Sequence, residues 1–193
     1  MLDLLARFFG RARATAPARA TVVNEPKPAK PTPPSIDERS RRIVAKLHPA
    51  VQPKFESFIR AAKYMAHESG YDVKAISGLR TWDAQDALYA KGRTTPGPKV
   101  TNAKAGFSNH NFGLAIDIGV FSKDGKKYHG EHPIYTELGP LGESLGLEWG
   151  GRWKFRDEPH YQFRPAWAAD ISEREMLTGL RSRVRSERDI LRA

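Results

Sequence analysis

The apolar residues of this chain change period along its length. Val51, Phe55, Phe58, Ile59, Ala62 and Met65 recur at helical spacing, which predicts a helix that follows Pro49 and ends near Ser69-Gly70. Just upstream, Ser35-Ile36-Asp37-Glu38 has capping-box form and predicts an earlier helix start. Tyr71 to Ser77 reads as a strand. It runs into a sharp junction, Gly78-Leu79-Arg80-Thr81, and then a helix from Trp82 to Lys91. Residues 92–107 mix Gly and Pro and predict a long irregular loop, a kind of segment that is often functional inside a compact domain.

At Leu114 the period becomes two. Leu114, Ile116, Ile118 and Val120 fall on one side of a predicted strand, and Ala115, Asp117 and Gly119 on the other. The polar stretch 122–132 predicts a hairpin turn at Asp124-Gly125, with His129 and His132 exposed on it. His48 and His67 lie in the first helical region, away from any acidic cluster. Ile134, Leu138, Leu141 and Leu145 mark a helix stopped near Gly146, and Leu147-Glu148-Trp149 a short strand. Gly150-Gly151-Arg152-Trp153 is a corner. His160 to Phe163 alternates again, with His160 and Gln162 on one side, until Pro165. Ser172 to Glu175 is a second capping-box pattern. It opens an Arg-rich C-terminal helix that reads as a solvated, salt-bridged surface element.

This pattern divides the chain into a flexible basic Pro/Ala-rich tail over 1–34, a domain over 35–170 and a basic helix over 171–193. The formal net charge of +10 favours anionic partners, a wall polymer or a membrane surface. The basic segments lack interleaved aromatics, so no specific nucleic-acid partner is expected. The chain has no cysteine, which excludes disulfides and Cys-ligated zinc. No stretch is long enough to span a bilayer. In Met1 to Gly10 the basic residues follow the apolar ones, the reverse of a secretory signal.

The chemistry gathers around the second alternating stretch. Asp117 sits mid-strand among large apolar residues, where a lone carboxylate is costly unless paired or bound to a cation. His110, seven residues upstream, is a candidate second ligand, and His160 a third. Two His and one carboxylate, with water in the fourth position, make a catalytic zinc set. A general base is then needed near that water. On an extended segment Glu158 shares a side with His160, whereas a turn at Pro159 would present Asp157; spacing leaves both open. Arg80, at the strand-to-helix junction, is the candidate for holding an oxyanion or a substrate carboxylate.

Ser77-Gly78-Leu79-Arg80, then Ser108-x-His110-x-x-Gly113-x-Ala115-x-Asp117, then Asp157-x-Pro159-His160 resemble, in order, the three signature blocks of the M15 zinc peptidases. That family includes D-Ala-D-Ala carboxypeptidases and dipeptidases and the phage and bacterial L-alanyl-D-glutamate endopeptidases. The resemblance covers about residues 36 to 167. It implies His110, Asp117 and His160 as ligands of Zn²⁺, Asp157 as the catalytic acidic residue and Arg80 as the stabilising arginine. Some relatives carry Glu at the position of Asp157. Ser108, Gln85 and Trp153 are the accompanying substrate-binding candidates. The implied fold is a small α+β domain, Hedgehog/DD-peptidase-like, whose antiparallel sheet with flanking helices holds the zinc on one face. The implied reaction is hydrolysis of a peptide bond in peptidoglycan (murein) stem peptides by a monomer. The L-Ala–D-Glu endopeptidase branch is preferred, and a D-Ala-D-Ala carboxypeptidase or a non-catalytic zinc-binding module are the alternatives. Such proteins act from the cytoplasm as phage lysins or are exported to the cell envelope, and the N-terminus does not choose between these.

Overall fold

The computed structural model describes residues 35–192. The basic tail expected over 1–34, with the reading of Met1 to Gly10, lies outside the described residues. Helices α1 (Glu38–Val44) and α2 (Gln52–Glu68) precede strand β1 (Tyr71–Ser77) and helix α3 (Trp82–Ala90). After the long loop come β2 (Ala115–Ser122), β3 (Tyr128–His129), α4 (Ile134–Ser144), β4 (Glu148–Trp149), β5 (His160–Gln162) and α5 (Glu173–Arg185). The sheet order is β1-β2-β5-β4, with β3 also on β2, and every pairing is antiparallel. This is the α+β class expected. Among the described residues no helix is long and apolar enough to cross a membrane.

The alternation in β2 does what it predicts. Leu114, Ile116, Ile118 and Val120 are fully buried. Their cross-strand neighbours share their face: Val73 faces Val120, Ala75 faces Ile118 and Tyr161 faces Ile116. On that face α2 supplies Phe55, Phe58, Ile59 and Ala62, and α4 supplies Tyr135 and Leu138, all without solvent exposure. Burying a side chain of this size stabilises the fold by about 1.5–3 kcal/mol each, before conformational entropy is counted. Tyr135, buried in this layer, donates its hydroxyl to His129 O and accepts from Val120 N, tying α4 to the β2–β3 hairpin.

Several local expectations are corrected. The first helix is capped by Asp37, not Ser35: Asp37 Oδ1 accepts from Ser40 N at 2.9 Å, the N-cap geometry that a carboxylate just before Glu38 provides. Met65 is 38% exposed and Ala66 takes the buried position, because Ala66, four residues after Ala62, continues the 3.6-residue period of the buried face. His129 and His132 are half-buried rather than exposed. Their rings pack on Tyr71, at 5.5 and 4.2 Å between centroids. The C-terminal helix is no solvated appendage. Met176, Leu177 and Leu180 bury themselves in the one core, so no boundary at 170/171 separates it from the domain. Its capping box, Ser172 with Glu175, forms as expected.

Candidate metal centre

The opposite face of the sheet is polar because of register. Asp117 of β2 lies directly across from Ser77 of β1 and from His160 of β5, and Gln162 lies across from Ala115. Cross-strand partners point to the same side of a sheet. A register shift between Ala75 and Ser77 in β1 swings Ser77 onto this face. His110 arrives from a one-turn 3₁₀ helix, Asn109–Phe112, which ends at Gly113. Gly113 has φ +66°, and a Cβ there would meet His48 N at 2.8 Å, so only glycine lets the chain turn from His110 directly into β2. The result is one tight group. One ligand atom from each of His110, Asp117 and His160 lies within 4.8 Å of the others. His110 Nε2 is 3.2 Å and His160 Nδ1 3.1 Å from Asp117 Oδ1.

The hydrogen-bond inventory fixes which ring nitrogens carry protons. His110 Nδ1 lies 2.7 Å from Gly78 O, which can only accept, so Nδ1 donates and Nε2 of the neutral ring presents a lone pair. Gln162 Nε2 donates to Glu148 Oε2 at 2.7 Å and Glu173 Oε2 at 3.2 Å. Its Oε1 therefore faces His160 Nε2, 3.1 Å away, which must donate. His160 Nδ1 is then the free lone pair. Two imidazole lone pairs and a carboxylate oxygen converge with no proton between them, an arrangement that only a cation or ring protonation satisfies. Tetrahedral zinc with bonds of about 2.0–2.1 Å separates its ligand atoms by about 3.3 Å. The two nitrogen-to-carboxylate distances, 3.2 and 3.1 Å, are close to that separation.

Desolvation pushes the Asp117 carboxyl upward, but His110 and His160 outweigh it and hold it well below the usual carboxylate range. Desolvation alone would lower His160, and the Asp117 carboxylate overcomes that and raises it. Arg80 stands on the other side of Asp117, 3.7 Å from Oδ2. Its guanidinium is braced by Ser77 Oγ at 3.0 Å and Gln85 Oε1 at 2.8 Å, and its backbone N–H donates to His110 O. Asp157 lies at the rim. Its exposed position leaves the carboxylate with no hydrogen bond or ion pair among the described residues, yet enough protein surrounds it that desolvation raises its pKa; Asp117 adds to the rise, against His160, His110 and Arg80.

A cleft of about 1200 Å³ opens over this group and is lined by Arg80, Ser108, His110, Asp117, Trp153, Asp157 and His160, among others. A family model described as D-alanyl-D-alanine carboxypeptidase matches residues 101–163. The chain is 39% identical over 132 residues to the peptidoglycan L-alanyl-D-glutamate endopeptidase CwlK of Bacillus subtilis (strain 168), a match that spans 64% of this chain and 77% of that protein. The chain belongs to the M15 peptidase family. Solved structures similar to it include the Serratia marcescens L-Ala D-Glu endopeptidase ChiX (TM-score 0.48, 20% identity, 66% of this chain and 87% of that one). The D,D-pentapeptidase VanY from a VanB-type resistance cassette, in complex with Zn(II), gives TM-score 0.45 at 17% identity over 68% of this chain and 78% of that one.

The M15 cleft assembles most of the residues picked out from the sequence, and it sorts the rest. Ser108 is half-buried on the wall, and Trp153, 39% exposed, packs against His160 with the rings tilted and their centroids 5.0 Å apart. Gln85 is not on the wall. It is fully buried behind Arg80, with its amide spent on Arg80 and on Ala103 O, so it braces the arginine and does not reach a substrate. Glu158 turns away: its carboxylate is taken by Arg156 and Thr136, and Trp149 Nε1 donates to its backbone oxygen. A turn over 157–160, closed by His160 N donating to Asp157 O, leaves the Asp157 carboxylate on the cleft. Gly150 permits the turn, since a Cβ there would meet Asp157 O at 2.5 Å. Sequence reasoning missed a polar network that also lines the cleft: the buried Asn109 and Gln162 with the half-buried Glu148, Glu173 and Arg164. The shared side of His160 and Gln162 in the alternation was the signal that pointed to it.

Proposed function

We propose that this M15 protein is a zinc-dependent peptidase that hydrolyses a peptide bond in peptidoglycan stem peptides, and that the bond is L-Ala–D-Glu. The observation that carries the reading is the convergence of three ligand atoms, from His110, Asp117 and His160, in an open cleft. The choice of bond rests on the likeness to CwlK, whose name states that specificity. His110, Asp117 and His160 would hold the zinc. Zn²⁺, when bound, supplies a Lewis acid that polarises a carbonyl and brings the pKa of water towards neutrality.

The chain's own residues supply the rest. Asp157 is the general base: its carboxylate is free and faces the cleft, so it can take a proton from the attacking water and return it to the leaving amine. Its raised pKa makes it a better base than an ordinary surface aspartate. Arg80, locked by Ser77 and Gln85, offers a fixed positive charge to the oxygen that becomes anionic as water adds. A preorganised guanidinium needs no reorientation as that charge develops. Trp153 covers one side of His160 and keeps bulk water from it. Ser108 offers a hydroxyl to the bound peptide from the cleft wall. The protein acts as a monomer, and its +10 charge draws it to an anionic wall.

Digestion of defined muropeptides, read by mass spectrometry beside metal analysis of the purified protein, tests this. Cleavage between L-Ala and D-Glu is the expected result. Release of free D-Ala alone would move the protein to the carboxypeptidase branch. One equivalent of zinc with no murein cleavage would leave a binding module.

A further inference from the structure

Next to His160 in the cleft lining, Gln162 is 1% exposed and every hydrogen-bonding position of its amide is filled. Nε2 donates to Glu148 on β4 and to Glu173 on α5. Oε1 accepts from His160 Nε2 at 3.1 Å and from Asn109 Nδ2 at 2.7 Å. Both carboxylates are acceptors only, so a flipped amide would set Oε1 against two anions. They are kept in place by Arg164, which bonds to both, and by Asn109, which donates to Glu173 Oε1 at 2.5 Å.

We propose that Gln162 is a positioning residue for the metal centre: Glu148 and Glu173 orient its amide, the amide fixes the Nε2–H tautomer of His160, and that tautomer turns the Nδ1 lone pair towards the metal. The C-terminal helix, through Glu173 in its first turn, thereby belongs to the working site. The order of cause follows from which groups have a choice. The carboxylates have none, the amide has two orientations and the ring has two tautomers. Each step removes one alternative. His110 is a built-in contrast, since its tautomer is the opposite one, Nδ1–H, and is set by the backbone oxygen of Gly78 instead. A partner on the outer nitrogen of a ligating histidine typically contributes 10–100-fold in metal affinity.

The inference rests on His160 being a zinc ligand, as read above, but its first readout needs neither metal nor substrate. In metal-free full-length protein with ¹⁵N-labelled histidine, at a pH where the rings are neutral, long-range ¹H–¹⁵N spectra report each ring's tautomer. Wild type should show Nε2–H at His160 and Nδ1–H at His110. Gln162→Leu should leave His110 unchanged, mix the two tautomers of His160 and raise the zinc Kd, measured by chelator competition, by about 10–100-fold. Glu173→Gln keeps the size of the side chain but gives the amide of Gln162 a partner that can donate, and should move the same two readouts in the same direction by less. A general loosening of the core would disturb both rings together. The proposal is overturned by an Nδ1–H tautomer at His160 in wild type. It is equally overturned if Gln162→Leu, or Glu173→Gln should Gln162→Leu not fold, leaves the His160 tautomer unchanged and the zinc Kd within about twofold. Loss of murein cleavage with both readouts intact would count against the proposed function and leave this inference standing.

Discussion

The two faces of β2 share one backbone and are built on different principles. On one, Leu114, Ile116, Ile118 and Val120 are fully buried against α2 and α4, in packing that calls for no cation. On the other, Asp117 meets two imidazole nitrogens, an arrangement that a cation or ring protonation has to complete. The first face is complete when the chain has folded. The second is complete only with a cation or a protonated ring. Stability and function are therefore assigned to alternate residues of the same strand, and substitutions on the two faces should separate cleanly.

The largest expected effect comes from removing a donor on the polar face. His110→Ala should bring bound zinc to background and reduce murein cleavage by more than the roughly 100-fold typical of losing an outer partner. The same variant should abolish the rise in Tm that zinc gives the wild-type protein, while the metal-free Tm changes little. Metal analysis and paired thermal melts check this. Equal zinc content in wild type and variant would break the division between the faces at its origin.

Asp157→Ala should come next and should split metal binding from turnover. The carboxylate makes no contact with the donor group, so zinc content should stay at wild-type level, while kcat falls by about 10²–10⁴-fold, the range for loss of a general acid–base. A fall in zinc content parallel to the fall in kcat would make Asp157 a ligand rather than a base. The apolar face should give the reverse pattern. Ile116→Ala, one residue from Asp117 but pointing the other way, should cost about 2–5 kcal/mol in chemical denaturation. At low temperature the folded fraction should still bind one zinc. If Ile116→Ala lost zinc affinity while remaining folded, the two faces would be coupled through the strand and not independent.

The apolar face was legible in the sequence almost residue by residue, because period-two alternation and helical spacing are local signals. The three residues that converge, His110, Asp117 and His160, were legible from residue type and from the resemblance to the M15 blocks. What stayed hidden depended on distant pairing. Glu173 looked like a first-turn acid in the capping region of a basic surface helix, and nothing in its neighbourhood showed that Asn109, 64 residues earlier, would donate to it. Spacing left Asp157 and Glu158 both open, and only the resemblance favoured Asp157. The extended geometry that put Glu158 beside His160 does not apply, because Glu158 and Pro159 form a turn closed by His160 N on Asp157 O. Gln85 was visible as a polar residue in a helix, but a helical period alone does not tell a brace from a contact.

The smallest expected effect tests whether the frame stands apart from the site's charge. Asp37 caps α1, and Ser40, which bonds to Asp37, accepts from Ala75 N of β1 through its hydroxyl, so the cap anchors the helix to the sheet. Desolvation pushes the Asp37 carboxyl upward, but the hydrogen bonds from Ser40, with the charge of Lys63, outweigh it and hold it below the usual range. A carboxyl lowered in the folded state contributes stability that is fully present above its unfolded pKa and is lost as pH falls through the folded one. Asp37→Ala should therefore cost about 1 kcal/mol at neutral pH, and the gap to wild type should narrow in acid, below the ordinary carboxylate range. Zinc affinity at neutral pH should be unchanged. Denaturation curves for both proteins across that pH range measure the gap, and a constant difference would mean that the cap acts through packing and not through its charge.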